Sequence, residues 1–367
     1  MATINWADVR AKFPVTNTSV YLNTAAAGPL AQTTAQAGAH YYEQMMNDGD
    51  VHWDNWLADV EKVRARVASF INAEPEEIGF TTNTSSGMNL IIDALEKHGE
   101  VISCDLEFPV TTIPWMHRRV PVHFVKSIEG VVRAEDVQAA MNTRTGIISM
   151  SYVQFSNGFR SDLDELSSIK GNHAFVVNAS QAAGVFEIDV KQMKIDALCA
   201  TGHKWMRSGY GSGFVYISKE LQAASRQRTI GWLSVHDPYG MRNDEVHLKH
   251  DVAARAEIGC PHFAGVFALG ASIELMLSIG IENIQTRSLE LNRMLTSRLG
   301  DKVLSPLGEE RFRSAETLVA AENPAKLVAQ LAQQNIFVTE KPQGIRVSTD
   351  FFNNDDDIER LIRNLSA

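Results

Sequence analysis

Strand-like and helix-like segments alternate through the first two thirds of this chain. Short apolar runs have the length and composition of buried strands, and the segments 55–72 and 86–97 have the apolar spacing of amphipathic helices. The predicted strands cover residues 77–82, 100–104, 145–152, 174–178, 197–201 and 213–217. Alternation at this spacing predicts an α/β fold, in which a parallel or mixed sheet has helices on both faces.

The length of 367 residues predicts two domains, because single cores rarely grow that large. Two long helices are predicted at 262–279 and 281–299, separated by Gly280. After them the pattern continues on a smaller scale, with a helix, a strand and a final helix. We therefore expect a large domain over 16–280 and a small domain made of 1–15 and 281–367.

Composition narrows the class of protein. Hydrophobic residues make up 44% and charged residues 21%, which is typical of a soluble globular protein. The net charge of −10 argues against nucleic acid or an anionic membrane as the main partner. Without an 18-residue apolar run or a signal-peptide pattern, we expect no membrane span and a cytoplasmic location. Three cysteines without CxxC spacing predict neither disulfides nor a zinc site.

The most informative segment is 196–205, with the sequence DALCATGHKW, in which a buried strand leads directly into Lys204. Burying an ammonium group is costly. A lysine kept at the end of a strand is therefore often a Schiff-base amine with a lowered pKa. The alternative is a lysine whose stem follows the strand while its charge reaches water. The segment alone leaves both interpretations open.

Two further segments place polar groups where a strand ends. In 80–89, FTTNTSSGMN, a strand is followed by hydroxyl residues and a helix start, which form either an anion cradle or an ordinary N-cap. In 175–184, FVVNASQAAG, a buried strand delivers Asn178, with Gln181 three residues later. The carboxyl ends of strands bind ligands in open α/β sheets, although an Asn can also simply close a turn.

An aromatic ring and an arginine complete the candidate set. Phe108, in DLEFP at 105–109, is either a ring that covers a planar cofactor or a core residue before a proline turn. Arg346, in QGIRVS at 343–348, is either a clamp for a carboxylate or a solvated residue on an edge strand.

These five segments, in this order, resemble the class V aminotransferase family of fold-type I pyridoxal 5′-phosphate (PLP) enzymes, which includes cysteine desulfurases, isopenicillin-N-epimerase-like proteins and kynureninase. The resemblance runs from YLNTAA at 21–26 to the C-terminal helix, and TGHK at 201–204 is its most specific part. It implies a fold-type I PLP-dependent transferase fold, with a mainly parallel seven-stranded sheet between helices and a small C-terminal α+β domain.

The resemblance also implies roles for individual residues. Lys204 would carry PLP as a Schiff base and later move the α-proton of an amino-acid substrate. The implied cofactor contacts are Thr84, Ser85, Thr201 and His203 at the phosphate, Phe108 on the ring face, Asn178 at the pyridine nitrogen and Gln181 at the phenolic oxygen. The implied substrate contacts are Arg346, Gln154 and Ala26. Family members are homodimers with sites at the interface, and Cys260 lies in a loop that would reach the partner's phosphate.

The chain departs from the family pattern in three places. Asn178 stands where the family has Asp, whose carboxylate keeps the pyridine nitrogen protonated. Cys260 stands where Thr or Ser is usual. The segment 337–343, FVTEKPQ, has no cysteine, although one group of desulfurases forms a persulfide there. Transfer of sulfur through a persulfide in this loop is therefore not expected.

The sequence thus predicts a PLP-dependent enzyme that acts on an α-amino acid, either aminotransferase-like or cysteine-desulfurase-like. An epimerase or a β-lyase of the same fold is the alternative. A non-catalytic regulatory protein that binds PLP is an alternative from another class, but a binding module has no need of Lys204, Gln181 and Arg346 together. Neither the reaction nor the substrate side chain follows from the sequence.

Overall fold

The computed structural model describes residues 4–95 and 97–365, and these residues form twelve strands and thirteen α-helices. The strands are β1 Val20–Tyr21, β2 Ile78–Phe80, β3 Glu100–Cys104, β4 Val122–Val125, β5 Thr145–Ser151, β6 Ala174–Asn178, β7 Ala197–Thr201, β8 Gly213–Ile217, β9 Glu316–Ala320, β10 Ile336–Phe337, β11 Thr339–Lys341 and β12 Gly344–Ser348. The helices are α1 Trp6–Ala11, α2 Gln32–Asp48, α3 Trp53–Ile71, α4 Thr84–Leu95, α5 Ile113–His117, α6 Ala134–Ala140, α7 Leu163–Ile169, α8 Lys219–Ala224, α9 Ala253–Ala256, α10 Phe263–Ile279, α11 Ile281–Leu299, α12 Pro324–Gln333 and α13 Asp355–Leu365.

The main sheet has seven strands in the order β2-β8-β7-β6-β5-β3-β4. The five neighbouring strands from β7 to β4 are parallel, whereas β8 is antiparallel to both β7 and β2. This arrangement confirms the predicted mainly parallel seven-stranded sheet.

Helices cover both faces of this sheet. Side chains alternate along its buried strands, so each face carries apolar side chains that pack against a layer of helices. Val176 and Cys199 pack on the side of α4, in a core with Met88 and Ile92. Their neighbours along the strands, such as Leu198, pack on the other side, in the core that contains residues of α3 and α10. The predicted two-layer covering of an α/β sheet is therefore present.

Parallel strands end at the same edge of the sheet, and this edge gathers the polar residues singled out in the sequence. The neighbours β5, β6 and β7 end at Ser151, Asn178 and Thr201. Lys204 lies three residues beyond the end of β7, and Phe108 four residues beyond the end of β3. The sheet thus brings residues from distant parts of the sequence to one place.

The C-terminal part adds a small antiparallel sheet in the order β11-β12-β9. The short strand β1 pairs in parallel with β10, and Arg10 of α1 forms an ion pair with Asp357 of α13 at 2.7 Å. The N-terminal residues are therefore joined to the C-terminal part. The boundary near residue 280 stays a prediction. In residues 4–95 and 97–365 no single helix is long and apolar enough to cross a membrane, and α10 with α11 meet that criterion only as a pair bent by 80°.

Candidate active site

A cavity of about 160 Å³ opens at the carboxyl ends of β5, β6 and β7. Its lining includes most of the candidate residues from the sequence, although they lie up to 120 positions apart. These residues are Thr84, Ser85, Phe108, Asn178, Gln181, Thr201, His203 and Lys204. The other lining residues are Asn83, Val110, Ser151, Val153, Phe155 and Ser180.

The backbone around Lys204 is held by close contacts. The Gly28 N–H donates to the His203 carbonyl at 2.7 Å, and the Arg207 N–H donates to the Lys204 carbonyl at 2.9 Å. A Cβ atom on Gly28 would lie 2.2 Å from the Lys204 carbonyl oxygen, so only glycine permits this approach. The Lys204 Nζ lies 5.6 Å from the centre of the Phe108 ring. The amine is thus fixed beneath an aromatic face.

The electrostatic surroundings favour the neutral amine of Lys204. Burial is the main cause that lowers its pKa to about 8, and the positive charges of Arg346 and Lys341 act in the same direction. The negative charge of Glu316 opposes them. A neutral amine is the form that attacks a carbonyl, so the structure makes Lys204 a suitable nucleophile near neutral pH.

Hydrogen-bond donors converge at one end of the cavity, where α4 begins. The Asn83 side chain caps α4 by accepting from the Ser86 N–H at 3.0 Å, which leaves the amides of Thr84 and Ser85 for another acceptor. The Thr84 hydroxyl lies 2.6 Å from the Ser180 hydroxyl. Backbone amides and hydroxyls at a helix start form an anion site.

His203 adds a neutral donor at this end. Its Nδ1 lies 2.7 Å from the Thr201 hydroxyl, and its ring stacks on Tyr210 at 4.5 Å. Burial first, and then the charge of Lys204, lower the pKa of His203 to about 4, so the ring is uncharged at neutral pH. If the Thr201 hydroxyl donates to Nδ1, the Nε2–H is left to bind an anion.

The side-chain amide of Asn178 has a defined orientation. Its Oδ1 accepts from the Ser180 N–H at 3.1 Å, and its Nδ2 donates to the Thr111 hydroxyl at 3.0 Å. Because a backbone N–H only donates, the oxygen must face Ser180. Thr111 in turn hydrogen-bonds the Glu107 carboxyl group, so two hydrogen bonds through Thr111 link the amide to this carboxyl group.

Arg346 and Glu316 are buried side by side next to the cavity. The Arg346 Nη1 donates to the Phe155 carbonyl at 3.3 Å and lies 3.4 Å from a Glu316 carboxylate oxygen. Among the described residues, the Arg346 Nε and both Glu316 oxygens have no hydrogen-bond partner. Burial raises the pKa of Glu316, although Arg346 opposes this. The Arg346 Nε is therefore a buried donor without a partner, on a side chain that lies outside the lining of the cavity.

Four candidate residues lie outside the lining of the cavity. Arg346 lies behind Phe155, and Ala26 is half-buried beside the Gln181 contact to the Ala25 carbonyl. Gln154 is turned towards Glu107, to which its Nε2 donates at 2.7 Å. Cys260 is exposed and borders a different cavity, of about 540 Å³, together with Thr81 and Thr82.

Comparison with known proteins decides the family. The model of the class V aminotransferases matches residues 20–361. The chain belongs to this family. A probable cysteine desulfurase of Methanothermobacter thermautotrophicus is 30% identical over 78% of this chain and 74% of its own length. Isopenicillin N epimerase of Amycolatopsis lactamdurans is 25% identical over 98% of both chains.

The fold is that of solved class V enzymes. The apo cysteine desulfurase of Thermococcus onnurineus NA1 superimposes with a TM-score of 0.89 at 24% identity, covering 100% of this chain and 98% of that one. The fold-type I architecture is therefore confirmed. As a class V aminotransferase family member, the protein is a PLP-dependent enzyme.

The residues of the cavity fit this cofactor. An amine with a lowered pKa, an anion-binding helix start and an aromatic face line one enclosed space. Gln181 is fixed at both ends of its amide, because the Trp205 indole donates to its Oε1 at 2.8 Å and its Nε2 donates to the Ala25 carbonyl at 3.0 Å. The second N–H on Nε2 remains for an oxygen ligand. Nucleophile, anion site, ring cover and polar edge partners together are the set that PLP requires.

The residues near this site that sequence reasoning missed include Ser180, Phe155, Glu316 and Lys341. Ser180 follows the predicted strand end and was within the segment singled out. Glu316 is the first residue of β9, and a carboxylate directly before the apolar residues of a strand is a recognisable signal for a buried charge. Phe155 and Lys341 carry no comparable signal, because only the fold brings them together.

We expect Glu316→Gln to lower the pKa of Lys204, because the change removes the negative charge that opposes burial, Arg346 and Lys341. The neutral amine, the reactive form, should then persist to lower pH. The measurement is the rate of PLP incorporation into apoprotein as a function of pH, with the midpoint moving to lower pH in the variant. Glu340→Gln, at an exposed position on β11, is the matched control. An unchanged midpoint would show that Glu316 carries no charge at the site.

Proposed function

We propose that this enzyme is a lyase that eliminates a β-substituent from an α-amino acid. When bound, PLP attaches the substrate through its amino group and draws electrons from the bond that breaks at Cα. Lys204 Nζ holds the cofactor and then removes the α-proton. Arg346, whose Nε has no partner within the protein, binds the α-carboxylate. Thr84, Ser85 and His203 donate to the phosphate.

Asn178 is the observation that carries this proposal. A carboxylate at this position would keep the pyridine nitrogen protonated and electron-withdrawing, whereas a neutral amide does not stabilise that charge. Amino transfer needs the electrons from Cα to move into the cofactor. In an elimination, the electron pair of the Cα–H bond forms a Cα=Cβ double bond, and the leaving group departs with the electron pair of its bond to Cβ. Elimination needs less withdrawal of electrons by the cofactor than amino transfer does, so elimination is the reaction that a neutral Asn178 supports better.

The positions of the thiols argue against a persulfide on the enzyme. Cys104 and Cys199 are buried, burial raises the pKa of both thiols, and Cys260 borders the other cavity. The substituent would therefore leave directly into solvent. Epimerisation is the second candidate, because the electron pair at Cα takes up a proton at Cα and not at a carbon of the cofactor, and an isopenicillin N epimerase aligns over 98% of both chains.

Product analysis tests the proposal. The holoenzyme is incubated with β-chloroalanine, with cysteine and with alanine, each in the presence of added 2-oxoglutarate. We expect a 2-keto acid and ammonia in equal amounts from the first two substrates, with no amino group on 2-oxoglutarate. Formation of glutamate would refute the lyase assignment, and inversion of alanine without ammonia would favour the epimerase.

We expect Asn178→Asp to protonate the pyridine nitrogen and to raise amino transfer relative to elimination about tenfold, the effect of about 1.4 kcal/mol of differential stabilisation. The ¹⁵N chemical shift of labelled PLP reports the protonation directly, independently of turnover. Asn364→Asp adds the same charge on the exposed end of α13 and should change neither result. A protonated nitrogen already present in the native holoenzyme would contradict the role given to Asn178.

We also propose that the protein is a homodimer, with the loop 257–262 near the partner's cofactor. This is supported by exposed apolar residues in the preceding segment, among them Trp232, Met241 and Val246. Apolar side chains that lie together on a surface commonly mark an interface. The cytoplasmic location stays a prediction from composition.

A further inference from the structure

One face of the small sheet presents charged side chains towards the cavity. In an antiparallel sheet, residues directly opposite each other, and every second residue along a strand, share a face. Glu316 lies opposite Ser348, and Ser348 is two residues from Arg346 on β12. Arg346 lies opposite Thr339, and Thr339 is two residues from Lys341 on β11. Glu316, Arg346 and Lys341 therefore share one face, spread over three neighbouring strands.

The contacts around Phe155 place Lys341 beside the active site. Its Nζ lies 4.4 Å from the centre of the Phe155 ring, and Phe155 lines the cavity. The Phe155 ring meets the Phe108 ring edge-on at 5.0 Å, and Phe108 covers Lys204. The Phe155 carbonyl accepts from Arg346. Lys341 and Arg346 thus flank the same aromatic residue.

Lys341 is the cation on this face without a counter-charge in contact. Glu316 lies against Arg346 at 3.4 Å. Within the described part of the chain, no carboxylate oxygen comes within 4.0 Å of the Lys341 Nζ. Burial, followed by the charge of Arg346, lowers the pKa of Lys341 to about 8, and the charge of Glu316 opposes this shift. A half-buried ammonium in such surroundings gains most from an anion supplied by a ligand.

We propose that Lys341 binds an anionic group on the substrate side chain, so that the enzyme prefers α-amino acids whose β-substituent is acidic. This inference rests on the proposed function, in which Arg346 takes the α-carboxylate. Arg346 and Lys341 lie on a diagonal across two neighbouring strands, where residues are about 7–8 Å apart. This separation suits two acid groups of one small molecule better than a single carboxylate. Lys341 is then the residue that determines specificity.

Isosteric pairs of amino acids test the inference by binding alone. L-Aspartate and L-asparagine, and likewise L-glutamate and L-glutamine, are titrated into holoenzyme, and the absorbance change of the lysine-bound cofactor gives an apparent Kd for each. We expect at least one acid to bind about tenfold more tightly than its amide, the effect of one charge-assisted hydrogen bond. In Lys341→Gln this ratio should fall to about one.

Two further variants keep the comparison interpretable. Lys341→Arg retains the charge and should retain the preference for acids. Lys326→Gln removes the same charge from an exposed position on α12 and should leave the ratio unchanged. An equal loss of affinity for acid and amide in Lys341→Gln would overturn the inference, since Lys341 would then serve the α-carboxylate. Absence of any preference in the native enzyme would overturn it as well.

Failure of this inference is distinguishable from failure of the proposed function. If acids and amides perturb the absorbance equally, only the role of Lys341 is lost. If no amino acid perturbs the absorbance of a holoenzyme that carries PLP on Lys204, the proposed reaction on amino acids itself is refuted.

Discussion

Replacing Lys204 with alanine is expected to lower the rate of turnover at least about 1,000-fold, because the change removes both the attachment of the cofactor and the base for the α-proton. The visible absorbance of the lysine-bound cofactor should disappear. PLP itself should still bind, since the phosphate end of the site does not involve the Lys204 amine. The measurements are initial rates and the absorbance spectrum of the variant saturated with PLP.

The Lys204→Ala variant should fold normally. The amine is half-buried near the positive charges of Arg346 and Lys341, so its removal relieves repulsion between like charges. The midpoint of thermal unfolding, compared between the two apoproteins, should not fall. Lys326→Ala serves as a control for the loss of a lysine from the surface. Retention of a tenth of the native turnover in Lys204→Ala would contradict the assignment of this residue.

Replacing Arg346 with glutamine is expected to raise the apparent Kd for amino acids about 100-fold, which corresponds to the loss of about 3 kcal/mol from a paired guanidinium–carboxylate contact. Binding of PLP should change little, because Arg346 lies beside Phe155, away from the phosphate end of the cavity. Titration of the cofactor absorbance with amino acid measures the first effect, and titration of apoprotein with PLP the second.

A second substitution separates charge from shape at this position. Arg346→Lys keeps the positive charge but loses the two parallel donors of the guanidinium, so we expect an intermediate affinity. Glu316 would be left as a buried carboxylate without its partner in Arg346→Gln, which makes some loss of stability expected. The account is contradicted if amines that lack a carboxylate lose as much affinity as amino acids do.

The sequence predicted the main sheet well because buried parallel strands have a strong local signature. β7 is buried at every residue and β6 at four of its five, whereas the edge strand β4 has a single buried residue and was not predicted. Val176 and Val177 pack on opposite faces of the sheet, and both positions have to be apolar. The short strands β1 and β10 were not predicted, because two-residue strands have no periodicity to detect and their pairing joins distant parts of the chain.

The sequence predicted those site residues that lie at or shortly after the end of a strand, where open α/β sheets bind ligands. Asn178 is the last residue of β6, Lys204 and Phe108 lie three and four residues beyond the ends of β7 and β3, and the structure places all three on one cavity. Gln154 fell in the right neighbourhood of the sequence, but its side chain is held by Glu107 and does not line the cavity. The contact of Cys260 with the partner's phosphate stays a prediction. Side-chain direction depends on tertiary contacts, which a single sequence does not reveal.

Glu316 and Lys341 show the limit of sequence reasoning most clearly. Their proximity to Arg346 follows from the register of three antiparallel strands. A shift of one residue in that register would turn each of these side chains to the other face. The register is set by packing of the whole small sheet. The proximity of Glu316, Arg346 and Lys341 therefore follows from the tertiary structure and not from the local sequence.

The central claim is that Lys204 carries the cofactor, and one measurement tests it directly. The purified holoenzyme is reduced with borohydride, digested, and analysed by mass spectrometry for a peptide that bears the reduced pyridoxyl group. The account predicts a single modified peptide, labelled at Lys204, with Lys341 and the other lysines unmodified. Labelling of another lysine, or a holoenzyme that gives no labelled peptide at all, would contradict it.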